Sequence, residues 1–190
     1  MKNLKKFLAV LLVAVMVTGF SGNVCRAKTK SDVYGDLIKQ LKKKEQFADG
    51  VYTAKIHDAS GNDILLVTDA GQNAIWADVY QNVNGKAELI TTIVSTGSGY
   101  PICKKGNYIL SGFHHKSMRY KITSDSTIME QINGLYLNKK YCTYTKNKIK
   151  DGKMTQLKRK KVKAKTAEKM DYYVDRKGNM RGKPIKFSRK

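Results

Sequence analysis

Residues 74–94 read AIWADVYQNVNGKAELITTIV, two alternating runs joined at Asn84-Gly85, the dipeptide that most strongly marks a two-residue hairpin. Folding about that pair sets Val79 opposite Ile90, Ala77 opposite Thr92 and Ile75 opposite Val94 on one face. Tyr80 with Leu89, and Trp76 with Ile93, fall on the other. Both faces carry apolar weight. The hairpin is therefore expected inside a sheet or sandwich, because a strand with one solvated face alternates cleanly between apolar and polar residues.

Outward from this hairpin the same period of two recurs. Residues 52–57 alternate, residues 58–63 (DASGND) form a turn, and residues 64–67 are a short apolar run. Glycine turns follow at Gly106, Gly134, Gly152 and Gly178, too irregularly spaced for a repeat array but suited to a meander. Residues 124–134 read equally as a short helix or another strand. Upstream, Ser31 is placed to cap a helix over about 31–47, with Val33, Leu37, Ile38 and Leu41 on one face and Lys42, Lys43 and Lys44 near its negative end. The expected fold is mainly β: an N-terminal helix followed by an antiparallel β meander closed as a sandwich or barrel. A chain of 190 residues suits a single domain of this kind.

The ends differ from the middle. Lys2, Lys5 and Lys6 precede an apolar run over residues 7–17, and Cys25-Arg26-Ala27 supplies small residues at cleavage-site spacing, so residues 1–27 read as a secretory signal peptide and 28–190 as the mature domain. Lipidation at Cys25 is the alternative. The expected location is secreted or extracellular, with cell-wall association and with no transmembrane segment in the mature chain. Of a net charge of +22, most sits in residues 146–190, which hold 18 basic and 4 acidic residues. That segment is patterned rather than featureless: residues 161–165 alternate, residues 172–174 are strand-like and residues 176–179 form a turn. Basic edge strands are expected there, their lysines also discouraging edge-to-edge aggregation. Lys158, Arg159, Lys160, Lys161, Lys163 and Lys165 form the candidate polyanion-binding face. The partners in view are anionic cell-wall or extracellular polymers, with no specific nucleic acid.

Asp58, Ser60 and Asn62 stand at the first, third and fifth positions of a calcium-loop pattern, but Asp63 takes the place of its glycine and no glutamate closes the site. An ordinary turn is expected, with no metal and no cofactor. The order of features over residues 31–145, a helix before an aspartate-glycine turn and a β-rich body, resembles small secreted proteins of Gram-positive gut bacteria, a resemblance that brings no activity with it. Residues 93–110, IVSTGSGYPICKKGNYIL, resemble the strand, glycine turn and glycine-aromatic strand of L,D-transpeptidase domains. In that family a histidine-glycine pair precedes a nucleophilic cysteine, whereas Lys140-Tyr141 precedes Cys142 here.

Cleavage after Ala27 leaves Cys103 and Cys142, expected as one disulfide, with two buried free thiols as the alternative. A divergent transpeptidase-like enzyme using Cys142 would need both a free thiol and a nearby base from His57, His114 or His115. Adjacent His114 and His115 point to opposite faces of a strand and do not form a ligand pair. Ser95, Ser98 and Ser111 lack nucleophile-elbow spacing and read as turn hydrogen-bonders. The favoured function is a non-catalytic secreted or envelope-associated domain that binds anionic polymer. A third reading is a protein-interaction module with Trp76 and Tyr80 on an exposed sheet face.

Overall fold

The computed structural model describes residues 30–95, 101–113 and 115–190, with side chains from Val33 onward. The segment 1–27, Ser98 and His114 lie outside these residues, and the Ser31 cap concerns a side chain outside them. The fold is mainly β and is built from two antiparallel sheets. The first has the order β12-β1-β2-β3-β4, with β1 Tyr52–His57, β2 Asp63–Thr68, β3 Trp76–Val83, β4 Lys86–Val94 and β12 Ser188–Arg189. The second has the order β10-β9-β8-β7-β6-β5-β11. Its strands are β5 Cys103–Lys105, β6 Tyr108–Phe113, β7 Lys116–Ile122, β8 Thr127–Asn133, β9 Tyr141–Lys150, β10 Lys153–Lys163 and β11 Lys183–Pro184. β1 to β4 and β5 to β10 are runs of sequential hairpins, with β12 and β11 each added at one edge; among the described residues no barrel closes.

Alternation assigns the two faces of the first sheet. Ile64, Leu66, Ala77, Val79 and Ile93 enter a core shared with Ile109, Tyr120, Ile122 and Met129 of the second sheet. Leu65, Val67, Trp76 and Tyr80 face the opposite way, against Tyr34, Leu37, Ile38 and Leu41 of a helix, α1 (Lys30–Leu41). Residues 64–67 are all buried because β2 is covered on both sides. Each such aliphatic side chain contributes about 1.5–3 kcal/mol through its removal from water. The helix stops at Leu41, and only a 3-10 turn, Glu45–Phe47, follows. Trp76 and Tyr80 are half-buried, packed against the cluster that α1 forms with the first sheet.

The central hairpin turns where Asn84-Gly85 demands. Both residues have positive φ, 51° and 80°, as this turn requires, and Val83 pairs Lys86. Tyr80 also pairs Leu89 as expected, but the register then slips: Val79 pairs Thr91, and Ile90 is left as a bulge. The expected pairs Val79–Ile90, Ala77–Thr92 and Trp76–Ile93 are therefore replaced by Val79–Thr91, Ala77–Ile93 and Trp76–Val94. The slip moves Ile93 to the core face, where it is fully buried. The hairpin also lies at the margin of its sheet, not in the interior as expected. β4 is an edge strand with Leu89 exposed, and the apolar weight on the outer face of β3 answers to α1, not to another strand.

The C-terminal segment is partly β. Residues 127–133 form β8, which resolves the helix-or-strand ambiguity before Gly134. Beyond β10, however, Ala164–Lys169 is a short helix, α2, and residues 172–174 contribute only the isolated bridge Val174–Met180. The last eight residues then lace the sheets together. β11 pairs β5 of the second sheet, Ile185 N–H donates to Ile102 O, Phe187 N–H donates to Gln72 O, and β12 pairs β1 of the first sheet. Ile185 and Phe187 both enter the shared core. Among the described residues no helix is long and apolar enough to cross a membrane.

Candidate functional site

β9 and β10 form a long ribbon at one edge of the second sheet, joined by a tight turn at Asp151-Gly152, both residues at positive φ. Every residue of β10 is exposed except the half-buried Val162. Side chains alternate along a strand, so the expected cationic run is divided between faces. Lys158 and Lys160 lie opposite Lys146 and Tyr144; Arg159, Lys161 and Lys163 lie opposite Thr145, Thr143 and Tyr141 on the reverse face. Lys165 belongs to α2.

The split is compensated by lysines outside that run. A bulge at Leu157 keeps Lys153 opposite Lys150 and Thr155 opposite Lys148, so Lys146, Lys148, Lys150, Lys153, Lys158 and Lys160 share one face. The overlooked pattern was KNKIK at residues 146–150, lysine at every second position. Lys146 reaches Glu130 at 3.8 Å, and Lys160 Nζ stands 5.4 Å over the Tyr144 ring.

The same face continues inward to a polar cluster. Arg119 pairs with Glu130 and is sandwiched between the rings of Tyr108 and Tyr172, at 4.8 and 4.5 Å from their centroids. The Tyr172 hydroxyl donates to Glu130 at 3.3 Å. Burial, followed by the Glu130 charge, pushes the Tyr172 phenol well above its usual range. Tyr136 donates to Asp171 at 3.0 Å, and burial with that carboxylate pushes its phenol up to about 12. Asp171 also accepts the backbone N–H groups of Tyr173 and Val174. Tyr173 packs so closely on Gly112 that a Cβ there would stand 3.0 Å from its ring. These contacts fix residues 170–174 as a cover over the sheet.

Cys103 and Cys142 do not meet. Both are buried free thiols in separate clusters, which corrects the expected Cys103–Cys142 disulfide. The strands explain this: Cys103 lies on β5, Cys142 lies on β9, and β6, β7 and β8 intervene. Cys142 Sγ donates to Gly134 O at 3.2 Å, and burial together with the Glu168 charge raises its thiol, the opposite of nucleophile activation. Burial also raises Cys103, which lies 3.8 Å from the Tyr173 hydroxyl. His57 is engaged with Asp63 at 3.0 Å across the β1–β2 hairpin, and His115 is exposed with its carbonyl accepting from Gly134 and Leu135. Accordingly, mass analysis of unfolded, unreduced protein should find no bridge between Cys103 and Cys142, and alkylation of these two thiols in the native protein should lag far behind that in the unfolded chain. A two-hydrogen deficit, or equal rates, would contradict this packing.

Asp58 is an internal brace. Its Oδ1 accepts the N–H groups of Ser60 and Asn62, both at 2.8 Å, while Oδ2 accepts from Gln81 at 3.0 Å and Asn62 at 3.4 Å. The carboxylate is thus committed to four donors of its own chain. Asp175 repeats the arrangement with Lys177 and Asn179, and the sequences agree: DASGN at 58–62, DRKGN at 175–179. Among the described residues no group of three potential ligands stands close enough to hold a metal ion. Ser95 joins the sheets, its Oγ donating to Gly112 O at 3.2 Å and accepting the Gly112 N–H at 3.1 Å. Set against family models, curated proteins and solved structures, the chain matches none.

Proposed function

We propose that this is a non-catalytic, secreted or envelope-associated domain that binds anionic polymer along the lysine face of β9 and β10. The observation that carries the reading is the cross-strand pairing that puts Lys146, Lys148, Lys150, Lys153, Lys158 and Lys160 on one side of a two-stranded ribbon. Same-face neighbours along a strand stand about 6.8 Å apart, near enough for their fields to add at a polymer lying across them. Affinity from such a face is electrostatic and needs no single bonding geometry. It draws any flexible chain of phosphates, sulfates or carboxylates.

The test is retention on immobilised heparin and on isolated cell wall. Retention should collapse as salt rises from about 0.1 M to about 1 M, where the screening length contracts from about 10 Å to about 3 Å. Replacing Lys146, Lys148, Lys158 and Lys160 with Gln should remove most retention at low salt, while Lys42, Lys43 and Lys44 replaced together should change it little. Salt-independent retention, or an unchanged elution of the ribbon variant, would exclude the reading.

A further inference from the structure

A cavity of about 840 Å³ opens between α1, β1 and the C-terminal strands, on another part of the molecule from the ribbon lysines. Five lysines line it: Lys55 of β1, Lys104 of β5, Lys183 of β11, and Lys186 and Lys190 beside β12. They come from three stretches of chain far apart in sequence, brought together by the lacing of residues 183–190 between the sheets. Their partners are neutral. Lys186 Nζ donates to Asn73 Oδ1 at 2.8 Å, Lys104 Nζ to His57 O at 3.4 Å, and Lys55 Nζ stands 5.9 Å over the Tyr34 ring. Among the described residues that line the cavity there is no acidic side chain.

Apolar side chains line the cavity beside these cations. Ile38, Ile56 and Pro184 line it and remain half-exposed, which distinguishes the site from the flat ribbon. A concave site with an apolar wall and a few charged groups at its rim selects a ligand that has both characters. Several ammonium groups around one mouth favour a phosphate, with more than one charge and three acceptor oxygens, over a singly charged carboxylate. We infer that this cavity binds a phosphate ester carrying an apolar group, the phosphate at the lysines and the apolar part against Ile38, Ile56 and Pro184. The inference goes beyond the polymer reading and does not rest on it.

Titration calorimetry of the full chain at low ionic strength, with hexyl phosphate as the probe and inorganic phosphate and hexanol as controls, tests it. Hexyl phosphate should bind at least about tenfold more tightly than either control, since several methylenes leave water along with the charge. Lys183→Gln with Lys190→Gln, both exposed positions, should weaken it about tenfold, the product of two ordinary exposed charge contacts. Lys158→Gln with Lys160→Gln should leave it unchanged while reducing heparin retention, so the two sites fail separately. Vesicles containing phosphatidic acid separate the sources: capture lost in the Lys183/Lys190 variant supports a lipid, and hexyl phosphate binding without capture supports a soluble ester. Hexyl phosphate binding no better than inorganic phosphate, or binding equally weakened by the ribbon variant, would overturn the inference.

Discussion

Phe187→Ala should lower the free energy of unfolding by about 3–5 kcal/mol, the usual cost of removing a buried phenyl ring. Phe187 is 3% exposed, packs in the core common to both sheets, and lies in the eight-residue segment that pairs β5 at one end and β1 at the other. The cavity left behind would sit between layers held by different strands, so neither can collapse into it alone. In urea the midpoint should fall with little change in slope, and on heating the transition should drop by roughly 10 °C for a domain of this size. Ser188→Ala, one residue further on and exposed, should stay within about 0.5 kcal/mol of the parent. A loss below about 1 kcal/mol for Phe187→Ala would mean that the C-terminal segment does not hold the sheets together.

Asp58→Ala should cost about 2–3 kcal/mol, because it strands two backbone N–H groups and the buried Gln81 amide together. Asp58→Asn should lose less: one amide oxygen still accepts from Ser60 and Asn62, while its NH₂ group meets the Gln81 donor. Asp175 provides a control within the same molecule. Its turn makes the same hydrogen bonds in solvent, so Asp175→Ala should fall within the scatter of ordinary surface substitutions. The backbone N–H of Asn179, first among several donors, holds the Asp175 carboxyl below its ordinary value. A depressed folded value means that this contribution is present above the unfolded value of 3.8 and is lost as pH falls through the folded one. Unfolding curves in calcium and in chelator should coincide for the parent, since the four donors on Asp58 already occupy its oxygens. Equal losses at Asp58 and Asp175 would show that burial and Gln81 add nothing.

Local β structure was legible in the order of residues. Asn84-Gly85 placed a hairpin turn because few other residues enter the left-handed region easily, and the alternation around it placed the strands. The alternating lysines of residues 146–150 and the two D-x-x-G-N turns were also legible, being short-range patterns whose chemistry is complete within a few residues. The remaining features depend on packing between distant segments. The bulge at Ile90 was hidden because residues 89, 90, 93 and 94 are apolar at both parities; only the packing of two layers favours Ile93 over Ile90 in the core. The separation of Cys103 from Cys142 depends on strand order, which pairing energetics settle across the whole sheet. Lys55, Lys104 and Lys183 share a cavity because the last strands return to bridge both sheets, and no local period records a meeting of residues so far apart in the chain.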